Sequence, residues 1–196
     1  MSRLDKYKVD LPEGESGEWR VERFTVSDDD SKRTRLYAAM HGRGYVPPGT
    51  YTQLRRGRTL VMSDTPDEIH DHLDPIFRAS GLVRIHGLGL GMVAAAVLEK
   101  PDVERVTVVE LSTDVISLVA PTLRDRYGDR LEVIQGDAMK IPGSSPARYS
   151  VVWHDIWDNL THDNLPEMAT LHRKWGRHAD WQGSWGRGWL ETHRGR

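Results

Sequence analysis

The segment Leu82-Val83-Arg84-Ile85-His86 runs straight into Gly87-Leu88-Gly89-Leu90-Gly91, and no other stretch constrains the fold of this chain so tightly. A short aliphatic and β-branched run is the pattern of a buried strand. Glycine at alternate positions marks a turn that is tight and a backbone that must be approached closely. The apolar, alanine-rich Met92-Val93-Ala94-Ala95-Ala96-Val97-Leu98-Glu99 follows at once and reads as a helix. Strand, glycine turn and helix in succession form the first unit of a nucleotide-binding α/β fold.

About twenty residues on, the distance expected in such a fold, Val106-Thr107-Val108-Val109-Glu110 reads as a second buried strand ending in a carboxylate. A third strand, Leu131-Glu132-Val133-Ile134, runs into Gln135-Gly136-Asp137-Ala138, and a fourth, Tyr149-Ser150-Val151-Val152-Trp153, ends in His154-Asp155. Singly, Glu110 is an ordinary solvated strand end, Asp137 a turn former and Asp155 or Asp158 a helix cap. Together they place three acids and one glycine turn at the carboxyl ends of successive strands, where open α/β sheets bind ligands.

Composition bounds the reading without choosing within it. A chain of 196 residues is expected to form one main domain with a real core. The formal net charge of −2 gives no electrostatic case for binding nucleic acid through the whole chain. With no cysteine there is neither a disulfide framework nor a thiolate metal site. No apolar run approaches a membrane span, and Met1-Ser2-Arg3-Leu4-Asp5 lacks a signal-peptide core, so a cytoplasmic protein is expected.

Three sections follow: a polar N-terminal section over 1–64, the nucleotide-binding section over 65–178 and a tail over 179–196. In the first, residues 1–17 are charged and expected to be mobile, Trp19–Val26 suits a strand, and Ser27-Asp28-Asp29-Asp30-Ser31 reads as a solvated loop. Thr50–Leu54 and Thr59–Ser63 flank Arg55-Arg56-Gly57-Arg58 as a hairpin. Thr65-Pro66-Asp67-Glu68 signals a helix start, with threonine capping, proline in the first turn and Glu68 completing a capping box. Ile69, Leu73, Ile76 and Phe77 mark its buried face, and Pro75 bends or breaks it. His70 and His72 diverge at i and i+2, so no metal site is expected, while His70 or Asp71 is a candidate for lining an acceptor pocket.

Thr113–Ala120 begins another helix, kinked at Pro121 and closed at Gly128, and Thr161–His178 reads as one with Leu165, Met168, Leu171 and Trp175 on a single face. Trp157 follows the fourth strand end, either as an aromatic wall for adenine or acceptor or as ordinary packing. The tail, with Trp181, Trp185 and Trp189 among Gly183, Gly186 and Gly188 and with Arg187, Arg194 and Arg196, holds at most one short strand. Basic and aromatic residues together can stack on nucleic acid, but covering a sheet edge or joining copies into a homo-oligomer is the expected role.

The ordered set of motifs resembles the class I S-adenosylmethionine-dependent methyltransferases and, within them, the spermidine-synthase-like branch, from roughly Thr65 to Leu160. The resemblance implies a Rossmann-like α/β sheet in the order 3-2-1-4-5 with helices on both faces, short of the last strands and preceded by a small N-terminal β section. By it Gly87, Leu88, Gly89 and Gly91 would pass under the methionine part of the cofactor. Glu110, with Leu111 beside it, would hold the ribose, and Asp137 and Ala138 would bracket the adenine. Asp155 would stand by the sulfonium and the acceptor as the catalytic group, with Asp158 and His154 as weaker candidates. The cofactor would be S-adenosylmethionine, the product S-adenosylhomocysteine, and the acceptor a small molecule. Two positions depart from the pattern: Ile85 stands where many methyltransferases carry an acid, and Leu90 where spermidine synthases carry an aspartate. Asp155-Ile156-Trp157-Asp158 resembles the paired aspartates of polyamine-forming enzymes, so aminopropyl transfer is the alternative activity. A cofactor-binding protein without catalysis is the third reading.

Overall fold

The computed structural model describes residues 4–143 and 147–193, so Arg194 and Arg196 of the basic tail lie outside the described residues. The chain builds two sheets. The first joins β1 (Gly14–Ser16), β2 (Trp19–Val26), β3 (Gly49–Arg56) and β4 (Thr59–Ser63) in sequence order, every pair antiparallel. The second is parallel throughout and contains β5 (Gly81–His86), β6 (Val103–Glu110), β7 (Leu131–Gln135), β8 (Tyr149–His154) and β9 (Ala179–Ser184), in the order β7-β6-β5-β8-β9. That is the expected 3-2-1-4-5 arrangement.

Central strands buried on both faces need apolar residues on both, and two cores result. Val83, Ile85, Val106, Val108, Val151 and Trp153 pack with α4 (Met92–Leu98) and α5 (Thr113–Tyr127). Tyr149 and Val152 pack on the opposite side with Met168, Leu171 and Trp175 of α6 (Leu165–Trp175). Each such side chain, fully buried, stabilises the fold by roughly 1.5–3 kcal/mol. Pro121 is accommodated inside α5, and Gly128 caps that helix.

The structure corrects four expectations. Residues 4–17 are not mobile: Tyr7, Val9 and Leu11 enter the main core, and β1 joins the first sheet. The acidic triplet is not a loop but the first turn of α1 (Asp28–His41), where the Ser27 side chain accepts from the Asp30 N–H at 3.1 Å and Gly42 closes the helix with φ +78°. Three carboxylates there oppose the positive end of the helix dipole. The helix after Thr65 is two short ones, α2 (Pro66–Asp71) and α3 (Leu73–Arg78), broken at His72, with Pro75 in the first turn of the second, where its missing N–H is harmless. Phe77 is 64% exposed rather than buried. The tail supplies its one short strand: Ala179–Ser184 pairs in parallel with β8 as the edge of the sheet, and α7 (Arg187–Thr192) follows it.

The antiparallel sheet packs on the α/β part. Ser16 Oγ donates to Asp114 Oδ1 of α5 at 2.7 Å, and the Leu90 N–H points at Met62 Sδ of β4 at 3.3 Å. β3 and β4 thereby stand over the carboxyl ends of the parallel strands. Among the described residues no helix is long and apolar enough to cross a membrane.

Candidate functional site

A cleft of about 800 Å3, counting its open mouth, lies over the carboxyl ends of β5, β6, β7 and β8. The chain leaves β5 in opposite directions, towards β6 and β7 on one side and β8 on the other, so this crevice is the topological switch point where such sheets bind ligands.

The glycine turn shapes the floor. Gly87 has φ +96°, and a Cβ there would fall 1.9 Å from the Asp155 carbonyl oxygen, so only glycine lets the ends of β5 and β8 run side by side. The Asp155 N–H donates to the His86 carbonyl at 2.8 Å across the same junction. Gly89 has φ +52°, and a Cβ would strike Met62 Sδ at 2.4 Å. Gly91, by contrast, makes room for Leu123 of α5.

Glu110 ties this turn to β6. Its Oε2 accepts from the Leu88 N–H and its Oε1 from the Ser112 N–H, both at 2.8 Å. Each carboxylate oxygen still offers a second lone pair to a ligand hydroxyl. Burial pushes the Glu110 pKa up, and the Ser112 and Leu88 amides oppose that rise. Asp137 is the most ionised acid of the set. Lys140 Nζ at 3.0 Å and the Met139 N–H at 2.8 Å hold its pKa below the usual value. Ala138, beside it, is 4% exposed.

Asp155 is held differently. Burial first, then the charges of Glu68, Asp71 and Glu110, raise its pKa to about 8, so at neutral pH its carboxyl retains a proton. Glu68, which accepts from Ser63 Oγ at 2.9 Å, is pushed up by burial to about 7. Asp158 is paired with Arg56 of β3. Trp157 is 8% exposed and anchored by its Nε1–H to Glu167 at 2.7 Å, which fixes the ring as a wall of the cleft.

Of the residues singled out from sequence, Gly87, Gly89, Glu110, Leu111, Asp137, Ala138, Asp155, Trp157 and Asp158 line this one cleft. Leu88 contributes a backbone amide to Glu110 rather than a wall, and Gly91 serves helix packing. His70 is exposed and not among the lining residues. His154 is wholly buried and turned into the core, with Nδ1 at 2.7 Å from His86 Nδ1. It therefore cannot touch an acceptor.

Glu68, His72, Trp19, Met62 and Trp185 line the cleft and were not read as site residues from sequence. Glu68 was assigned to a capping box, but Thr65 makes no side-chain cap bond and Glu68 turns to Ser63 instead. His72 is brought in by the break between α2 and α3. Trp185 reaches the cleft from the tail, its Nε1–H directed at Asp71 Oδ2 at 3.3 Å. Five carboxyl groups, of Glu68, Glu110, Asp137, Asp155 and Asp158, line the cleft, and among the described residues no lysine or arginine does.

No family model matches the chain, and no curated protein sequence matches it. Solved structures do. Spermidine synthase from Thermotoga maritima superposes with a TM-score of 0.55 at 15% identity, over 92% of this chain and 59% of that one. A methyltransferase from Geobacter sulfurreducens gives 0.46 at 16% identity over 80% of this chain and 67% of that one. A spermidine synthase in complex with the transition-state analogue AdoDATO gives 0.47 at 17% identity, over 76% and 46% of the two chains. The chain thus spans about three fifths of the length of the Thermotoga protein, covering 59% of it. At such identities the likeness is one of fold, a Rossmann-like parallel sheet in the order 3-2-1-4-5 preceded by a small β section.

Proposed function

We propose that this chain binds S-adenosylmethionine in the acid-lined cleft and transfers its methyl group to a small, cationic or amine-bearing acceptor. The observation that carries the reading is the convergence of the glycine turn, Glu110, Asp137 with Ala138, and Asp155 on one crevice at the switch point. Gly87 and Gly89 both line the cleft, so the turn presents backbone without side chains to a close-lying ligand. Glu110 would hold the ribose hydroxyls through its free lone pairs, Asp137 and Ala138 the adenine, and Gly87 and Gly89 the methionine portion. When bound, the cofactor supplies an activated methyl group on a positively charged sulfur.

The chain's own part is alignment and charge. Methyl transfer is an in-line displacement, so holding the acceptor against the methyl carbon provides much of the acceleration. Asp155 and Glu68 face the same volume and would hold the acceptor nitrogen, with Trp157 and Trp185 excluding water. Asp137 and Asp158 are already paired with Lys140 and Arg56, so the preference for ligands of net positive charge rests on Glu68, Glu110 and Asp155.

The same observation supports a second reading. The amino-acid carboxylate of S-adenosylmethionine meets no lysine or arginine on the wall, whereas the decarboxylated cofactor would present only positive charge. Aminopropyl transfer to a diamine, by a spermidine-synthase-like protein, is that reading. Calorimetric titration with S-adenosylmethionine, S-adenosylhomocysteine and decarboxylated S-adenosylmethionine separates the two. Saturable binding lost in Glu110→Ala supports the site, and the tighter of the two sulfonium ligands selects the activity. Asp137→Ala should weaken binding, while Asp155→Ala should lower turnover more than affinity. Binding of none of the three ligands refutes both.

A further inference from the structure

His72 stands apart from the other deeply buried histidines. His86 and His154 are fully buried and fully engaged. Arg84 Nε donates to His86 Nε2 at 3.1 Å, which leaves the His86 proton on Nδ1. That proton points to His154 Nδ1 at 2.7 Å, and His154 Nε2 then donates to Gln182 Oε1 at 3.4 Å. Every donor in that chain has an acceptor. His72, 2% exposed, has no such arrangement. Its Nδ1 has no hydrogen-bond partner, and its Nε2 lies 3.7 Å from Asp155 Oδ2, too far for a hydrogen bond. A buried imidazole left uncommitted is unfavourable by about 1–3 kcal/mol, and this one is in the wall of the cleft.

The groups around the pair come from several elements. Asp71 and Glu68 on α2 and Glu110 at the end of β6 act on Asp155, and Asp71 also acts on His72. Arg43, after α1, neutralises Asp71 at 2.7 Å, and Trp153 of β8 meets the His72 ring edge to face with centroids 5.9 Å apart.

We propose that His72 and Asp155 share one proton, and that Asp155 passes it to His72 when a sulfonium ligand enters the cleft. The inference rests on the cofactor reading above. In the free protein burial keeps the imidazole neutral, with its pKa near 4, and the proton stays on Asp155. A positive charge beside Asp155 favours its carboxylate. The displaced proton has an acceptor within the same buried volume. The Oδ2–H bond breaks as the Nε2–H bond forms, the lone pair of Nε2 takes the proton, and the net charge of the pair is unchanged. An approach of about 1 Å brings the two atoms to hydrogen-bond distance. Asp155 is then a carboxylate at neutral pH, able to offer a negative charge and take a proton from the methyl acceptor, which it cannot do while protonated. His72 is thus a proton-holding residue of the site, acting through Asp155.

The test is two-bond 1H–15N spectroscopy of the full chain labelled in histidine, at pH 7, free and saturated with S-adenosylmethionine or S-adenosylhomocysteine. The His72 signals are assigned by their loss in His72→Gln. Imidazolium shifts at His72 in the sulfonium complex, and neutral shifts with the uncharged thioether, are expected. Asp155→Asn should bind the sulfonium ligand and leave His72 neutral. A neutral His72 in the wild-type sulfonium complex, with saturation shown by the amide signals of the glycine turn, overturns the proton transfer alone. No amide shift with either ligand overturns the cofactor reading and this inference with it.

Discussion

Asp155→Asn should alter how stability depends on pH, and the structure sets the size of the effect. His72 and His154 have pKa values lowered by burial to about 4 and about 3, and His86 is lowered well below 6.5. Such groups bind protons on unfolding, so their contribution is complete above pH 6.5 and is lost as pH falls below it. Asp155 and Glu68 have the opposite sign. Raised to about 8 and about 7, they release protons on unfolding, and their contribution is lost as pH rises towards those values. Each group changes the folding equilibrium about tenfold per pH unit within its window. Stability peaks where proton uptake by the unfolded histidines, the half-buried His172 included, equals release by the buried carboxyls, Glu110 among them. Asparagine at 155 removes one released proton, so the balance moves to higher pH. The folding constant of the variant relative to wild type should therefore rise about tenfold per pH unit between about pH 5 and pH 7.5. Urea denaturation from pH 5 to 8, followed by tryptophan fluorescence, measures both quantities. A ratio between the two proteins that does not change with pH would refute the claim that the folded chain holds a proton on Asp155.

Three further outcomes are expected from the same denaturation assay. Gly87→Ala places a Cβ 1.9 Å from a backbone oxygen at φ +96° and should cost more than about 3 kcal/mol, whereas Gly57→Ala, at φ +55° with nothing within 4 Å, should cost only about 1–2 kcal/mol. His154→Ala leaves the His86 Nδ1–H and the Gln182 carbonyl without partners and opens a void, for a loss of about 2–4 kcal/mol. Glu110→Gln can accept from only one of the two amides now bound to the carboxylate, so the turn at Leu88 or the cap at Ser112 loses its acceptor and about 1–3 kcal/mol.

The parallel sheet was legible because its central strands are buried on both faces. Val106, Val108 and Val109, interrupted by the buried Thr107 alone, and Val151, Val152 and Trp153 form apolar runs, and each stops at a polar strand end at the carboxyl side of the sheet. The N-terminal section gave weaker signals. Tyr7, Val9 and Leu11 alternate with charged residues over too short a span to stand out, yet all three are buried. α1 had no apolar face to detect: Leu36, Tyr37 and Met40 are all more than half exposed, and Ser31 is its only buried residue. Only the cap at Ser27 marked it, and a run of aspartates resembles a solvated loop as much as a first helical turn.

The site shows the same division for a different reason. Gly87, Glu110, Asp137 and Asp155 were found because the fold assigns a function to a position along the chain, the end of a strand. No such rule reaches Glu68 or His72. Their places depend on where α2 stops, and the stop is not written in the residue that carries the chemistry. With an unbroken helix His70 would have been as reasonable a candidate as His72. The break turns His72 inward to Asp155 and leaves His70 in solvent. Glu68 depends on the same geometry, because its partner is Ser63 at the end of β4, and not the cap at Thr65. The acids at strand ends thus meet in the cleft over the carboxyl ends of the sheet. The residues of α2 lie against them, and the charges of Glu68 and Asp71 add to burial in raising the Asp155 pKa, a shift that no strand-end rule foretells.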